Sequence, residues 1–253
     1  MTDANQDQVL PNESKAHATS RWRAVRRLWQ AETIYFIALA AFAVLAVFAY
    51  FDAYFDWDLA AARTLQSSRL PGLYTLMIGV SLFGNGVTPW ILTTITAILF
   101  LIRGRRSEMA GLILSAGGGA LVNRVFKMAI GRPRPVSDLV RVSVFPSAES
   151  FPSGHVTFYV CYFGFLFFVA YALLPRGSTV RRLALAAAVL PAALVGLSRV
   201  YLGAHWPSDT LGAYLLSGLW LAFSLEMYRR WKERATFHPE IKTQDEPVEG
   251  GQN

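Results

Sequence analysis

Three short stretches of this chain concentrate the residue types that handle phosphate. The first, KMAIGRPRP from Lys127 to Pro135, holds Lys127, Arg132 and Arg134, with Arg141 close behind. Guanidinium groups match phosphate oxygens bidentately, and an ammonium adds a point charge. Lys127 sits near a helix end and Arg134 lies past the break at Pro133, so the chain could wrap both around one anion. Taken singly, any one of these arginines reads more readily as a contact to lipid headgroups at the interface. The second stretch, Pro152-Ser153-Gly154-His155, has the form of a helix start. Gly154 permits close backbone approach, Ser153 could cap or donate, and the first N–H groups of the following helix would face an anion. His155 could protonate a leaving oxygen there, although a lone interfacial histidine is often structural. The third stretch pairs Ser198-Arg199 with His205-Trp206-Pro207-Ser208-Asp209. Arg199 would join the cations. His205 and Asp209 are spaced to share a helix face, and Pro207 suits a first turn. A carboxylate bonded to one imidazole nitrogen would fix the tautomer and leave the other nitrogen free to attack. The competing reading is an ordinary N-terminal cap by Asp209 beside an incidental histidine.

The elements that must position these residues are apolar. The chain has 253 residues, 53% hydrophobic and 16% charged, with mean hydropathy +0.33. Soluble domains carry about 25% charge, so an ordinary water-soluble enzyme is excluded. The net charge of +7 lies in short basic clusters between apolar runs. That fits membrane topology signals and not a nucleic-acid footprint. Cys161, the single cysteine, reads as a small core hydrophobe.

Residues 1–20 are polar without an apolar period, and RWRAVRR follows at 21–27. Together they predict a disordered, basic, cytoplasmic tail over 1–30. Residues 33–51 carry no charge and suit one bilayer crossing, against the alternative of a secretory signal. After Asp52, Asp56 and Asp58 comes an amphipathic segment with Arg63 and Arg69. The uncharged run 70–102 is too long for one simple crossing. Gly84, Gly86 and Pro89 divide it into an interfacial or re-entrant piece and a crossing over 87–102. Further crossings fall at 109–122, 156–175, 183–198 and 210–225, followed by a disordered cytoplasmic tail over 237–253. Gly117-Gly118-Gly119 would let helices pack closely. The expectation is an all-α polytopic membrane protein, with six transmembrane helices bundled over 31–236. The basic clusters at 21–27, 103–106, 176–182 and 229–234 fall on one side, which the positive-inside rule makes cytoplasmic. Both termini are then cytoplasmic in a cell-membrane protein. Arg132, Arg134, Arg141 and Arg199 fall on the other side, against the rule and beside the other candidate residues. That places the active site at the extracytoplasmic helix ends.

Lys-x6-Arg-Pro (Lys127, Arg134, Pro135), Pro-Ser-Gly-His (Pro152 to His155) and Ser-Arg-x5-His-x3-Asp (Ser198, Arg199, His205, Asp209), in this order, resemble the type 2 phosphatidic acid phosphatase and vanadium haloperoxidase superfamily. The resemblance spans roughly 109–226, and the early crossings resemble its six-helix bacterial membrane branch. It implies that His205 forms a phosphohistidine with Asp209 as partner. Lys127, Arg134, Ser153, Gly154 and Arg199 would bind phosphate oxygens, and His155 would protonate the leaving group. It further implies metal-independent chemistry without a cofactor, on a lipid phosphate monoester or pyrophosphate. Candidates are phosphatidic acid, phosphatidylglycerol phosphate and undecaprenyl pyrophosphate. Nearby carboxylates Asp138, Glu149 and Asp209 lack the paired spacing of a two-metal site. A lipid phosphotransferase would use the same motifs. A vanadate-dependent peroxidase fits poorly with so many crossings. An anionic-lipid transporter or binding protein would leave His155, His205 and Asp209 without a task. The 136–151 loop matches no motif and is the candidate for substrate choice; the sequence carries no signal for oligomeric state.

Overall fold

The computed structural model describes residues 10–144 and 149–237. Over these it is helical, with no strand: α1 Leu10–Phe51, α2 Asp56–Gln66, α3 Leu73–Ser81, α4 Thr88–Ile102, α5 Arg106–Leu112, α6 Gly118–Ile130, α7 Gly154–Leu173, α8 Thr179–Tyr201 and α9 Pro207–Phe237. Among the described residues, five helical segments are long and apolar enough to cross a bilayer. They become six if α3 and α4, bent by 57° at their break, count as one span.

The first helix begins at Leu10, so residues 10–30 are helical where the sequence reading had a disordered tail. The physical reason lies in composition. Pro11 falls in the first turn, where a missing N–H costs little, and Ala, Arg, Lys, Glu and Gln favour continued helix. Residues 1–9 and 238–253, also read as tail, lie outside the described residues.

α7 is the central helix and packs most extensively against α8 and α9. The composite α5–α6 segment packs against both α7 and α9. A Cβ on Gly118 would stand 2.5 Å from the Trp220 ring, and one on Gly119 would stand 2.6 Å from Cys161 Sγ. Those two glycines let α6 approach α9 and α7, as the glycine run predicts, while Gly117 meets no such neighbour. Between α5 and α6 the chain makes a π turn over Ile113–Gly117. α8 carries an internal proline, Pro191. One turn on, the Tyr214 hydroxyl enters the helical ladder, donating to Ala192 O at 2.7 Å and accepting from Gly196 N–H at 3.2 Å.

α2 lies outside the apolar segments, against the α8–α9 junction. Its Ala62 is buried with Val140, Val200 and Trp206. The N–H of Phe55 donates to Asp58 Oδ2 at 3.2 Å, closing the first turn from within. The chain between α6 and α7 folds across the same junction. Ser143 N–H donates to Leu202 O at 2.9 Å, and Ser150 N–H to Arg132 O at 2.8 Å.

Candidate active site

His205 lies in the turn 202–206 that joins α8 to α9. Gly203 makes the turn possible. Its φ is +69°, a left-handed value that side chains resist. A Cβ there would also stand 2.1 Å from Arg141 O. The turn puts His205, 2% exposed, beneath the α6–α7 connection.

Asp209 follows in the first turn of α9 and is fully buried. Its Oδ2 accepts the N–H of Trp206 at 2.8 Å, so the capping reading is correct as far as it goes. The same oxygen lies 3.5 Å from His205 Nδ1, long for a hydrogen bond. Ser150 Oγ fills the corner between them. It donates to Asp209 Oδ2 and sits 3.5 Å from Nδ1. The sequence reading had a direct carboxylate–imidazole bond on one helix face. The pair instead straddles the helix start with a hydroxyl alongside, because Pro207 begins α9 only after the histidine.

On the other ring edge, Arg134 Nη1 lies 3.1 Å from His205 Nε2 and donates to Ala204 O at 2.6 Å. A guanidinium can only donate, so these partners leave the Nε2 lone pair facing Arg134 and the ring proton on Nδ1. Arg134 Nη2 donates to Glu149 O at 3.1 Å. Lys127, on the last turn of α6, donates to that same carbonyl and to Ser150 O at 3.3 Å. Burial foremost, then the charges of Arg134, Lys127 and Arg199, holds the His205 pKa well below the ordinary imidazole value. His205 is therefore neutral at pH 7. Burial likewise lowers the Arg134 pKa, opposed by Asp209 and Glu149.

Ser153 takes the N-cap position of α7 but makes no side-chain cap bond. Its N–H donates to Asp209 O at 3.2 Å, tying the two helix starts together. Ser153 Oγ and Arg199 Nε are buried without a hydrogen-bond partner among the described residues. Both belong to the predicted phosphate-binding set, and a buried donor left unpaired is costly unless a ligand meets it. Gly154 opens α7, where a Cβ would meet only Asn123 Oδ1 at 3.5 Å and the Lys127 side chain at 4.0 Å.

Arg199 and His155 are held by a part of the chain the motifs do not reach. Arg199 Nη1 donates to Ser81 Oγ at 2.5 Å, at the end of α3. His155 Nε2 lies 2.8 Å from Asn85 Oδ1 in the break between α3 and α4. Gly84 packs against the imidazole, and a Cβ there would stand 2.3 Å from His155 Cδ2. The segment punctuated by Gly84, Gly86 and Pro89 therefore seats two candidate site residues. Next to it lies a cavity of about 240 Å³ lined by Trp90, Thr93, Ala120, Asn123, Gly154 and His155 among others. It is mostly apolar, and His155 forms part of its wall.

Arg132 and Arg141 do not join the cations around His205. Arg141 donates to Gln66 O across the surface and lies over the Tyr201 ring at 5.6 Å. Arg132 points inward to Asp58 and Asp209 at 3.0 and 2.6 Å. Sequence reasoning missed Asp58, Ser81, Asn85 and Ser150. Their partners lie far away in the chain, so no local spacing marks them.

A family model described as the PAP2 superfamily matches residues 108–233. Phosphatidylglycerophosphatase B of Bacillus subtilis (strain 168) is 32% identical over 200 residues, covering 76% of this chain and 95% of that protein. Undecaprenyl-diphosphatase of Sulfolobus acidocaldarius is 25% identical over 195 residues, covering 75% and 88%. The crystal structure of a transmembrane PAP2 type phosphatidylglycerolphosphate phosphatase from Bacillus subtilis superposes with a TM-score of 0.66. It is 28% identical and covers 78% of this chain and 96% of that one.

Proposed function

Since this chain belongs to the PAP2 superfamily, we propose that it is a metal-independent membrane hydrolase of lipid phosphates, working through a phosphohistidine on His205. Its relatives carry the names of lipid phosphatases, one for a phosphate monoester and one for a diphosphate. The observation that carries the reading is the environment of His205. It is a buried, neutral imidazole whose Nε2 faces Arg134, with Ser150 and Asp209 behind Nδ1.

In the first half-reaction the Nε2 lone pair attacks phosphorus, forming an N–P bond as the bond to the leaving oxygen breaks. Lys127, Arg134 and Arg199, with the Ser153 hydroxyl and the first N–H groups of α7, receive the equatorial oxygens. His155 delivers a proton to the departing lipid alcohol or lipid phosphate. The ring becomes cationic as Nε2 is phosphorylated, and Asp209 offsets that charge through Nδ1–H. In the second half-reaction His155 takes a proton from water, whose oxygen attacks phosphorus. The N–P bond then breaks and inorganic phosphate leaves. The mostly apolar cavity that His155 helps to line supports a leaving group with a hydrocarbon chain.

The same proposal sets the site on the extracytoplasmic side with both termini cytoplasmic. Positive clusters at 103–106, 176–182 and 229–234 support that orientation. The enzymatic test uses purified protein in mixed micelles with phosphatidic acid, phosphatidylglycerol phosphate or undecaprenyl pyrophosphate. Phosphate release is expected in the presence of EDTA, and His205→Ala should lower it at least about 10³-fold. Undiminished release by that variant overturns the mechanism. Transfer of the phosphoryl group to an added lipid alcohol instead of water would indicate the phosphotransferase reading.

A further inference from the structure

Arg132 stands inside the cation-rich stretch, yet its side chain has no exposed surface. Each of its nitrogens is engaged. Nε donates to Asp52 O at 3.2 Å, Nη2 to Asp58 Oδ2 at 3.0 Å, and Nη1 to Asp209 Oδ1 at 2.6 Å and Ser208 Oγ at 2.7 Å. The Phe55 ring covers the guanidinium carbon at 4.7 Å. Arg132 could turn towards a phosphate only by leaving two buried carboxylates without their cation, which is strongly unfavourable.

Asp58 closes the arrangement from α2, a helix that no motif includes. Its Oδ1 accepts Ser208 N–H at 2.8 Å, and its Oδ2 accepts the Ser208 hydroxyl at 2.6 Å. Ser208 therefore receives a hydrogen bond from Arg132 and gives one to Asp58. Asp209 is gripped at both oxygens as a result. Arg132 holds Oδ1, while Trp206 N–H and the Ser150 hydroxyl hold Oδ2. A carboxylate bonded on both edges cannot rotate about its Cβ–Cγ bond without breaking charge-assisted contacts. Only Oδ2 faces His205 Nδ1.

Resting on the assignment of His205 as nucleophile, we infer that Asp58, Arg132 and Ser208 are positioning residues for the His205–Asp209 pair. They fix the plane of the Asp209 carboxylate, so that Oδ2 stays beside Nδ1 while positive charge develops on the imidazole. Two carboxylates around one guanidinium also leave a net negative charge behind His205, in a site whose other face is lined by cations. None of the three touches the reacting atoms. Their loss should therefore slow formation of the N–P bond and leave lipid binding in place.

The test measures kcat and KM for phosphatidic acid in mixed micelles, together with the single-turnover rate of phosphohistidine formation. Asp58→Asn, Arg132→Gln, Ser208→Ala and the double variant D58N/R132Q are compared with the parent protein and with His205→Ala. Asp58→Asn and Arg132→Gln should lower kcat and the phosphorylation rate about 10²-fold, the order expected for misplacement by an ångström. KM should stay within about two-fold of the parent, because the phosphate-binding groups are untouched. The double variant should be no worse than the poorer single one, as expected for groups acting as a unit. If Arg132→Gln fails to fold, Asp58→Asn and Ser208→Ala carry the comparison, each being close in shape to the parent residue. Folded variants with kcat within two-fold of the parent, beside an inactive His205→Ala, overturn the inference. So does a loss of activity expressed in KM alone. Activity retained by His205→Ala would instead remove the nucleophile assignment on which the inference rests.

Discussion

At the scale of single residues, the proposed chemistry depends on keeping one imidazole neutral among cations. His205 is buried, and Arg134, Lys127 and Arg199 disfavour its protonation. The unfolded chain would take up a proton at this histidine near pH 6.5, while the folded protein would not. More protons are then bound in the unfolded state, so this residue makes the fold less stable as pH falls below about 6.5. In the ligand-free protein, the imidazole resonances of His205 should remain those of the neutral ring until the pH is well below the ordinary imidazole range. Arg134→Ala removes a cation at 3.1 Å and should move the titration upward. A titration near 6.5 in the parent protein would contradict the described environment. The residues that build this environment were legible unevenly. Lys127, Arg134, Ser153, Gly154, His155, Arg199, His205 and Asp209 announce themselves by type and spacing. Ser150 and Arg132 lie inside the same stretch, but nothing in their spacing says that one abuts the histidine and the other turns away from it.

At the scale of elements, the break between α3 and α4 is the feature whose role the sequence left open. Gly84, Gly86 and Pro89 predict an interruption, and the structure places it against the candidate acid. Gly84→Ala would drive a methyl group into the His155 ring, 2.3 Å from Cδ2. The imidazole would have to move, and phosphate release should fall about 10- to 100-fold. Gly79→Ala, where a Cβ meets nothing within 4 Å, should remain within two-fold. Equal activities in the two variants would show that the break does not seat the acid. The apolar spans themselves were legible because a bilayer demands long uncharged helices. Two details were not. The π turn at Ile113–Gly117 has the composition of ordinary helix, and the extension of α1 back to Leu10 rests on residues too polar to show an apolar period.

At the scale of the whole molecule, the proposed orientation has a direct check. Single cysteines on a Cys161→Ser background at Ser68 in the α2–α3 connection and at Ser107 near the basic 103–106 cluster should differ in labelling. A membrane-impermeant maleimide added to intact cells should reach the first and spare the second until the membrane is opened. The reverse pattern would invert the topology and place the chemistry in the cytoplasm. The pairing of Asp58 with Arg132 bears on a different question, namely how far the catalytic unit can be divided. The family match begins at residue 108, and the motifs begin at Lys127. A fragment cut to those limits would keep every recognised motif residue. It would lose Asp58 together with Asp52 and the Phe55 ring, uncovering Arg132 and removing one of its two carboxylate partners. It would also lose Ser81 and Asn85, the partners of Arg199 and His155. The smallest fragment that keeps these contacts therefore starts upstream of the family match, and residues 52–85 belong to the proposed site as much as to the scaffold.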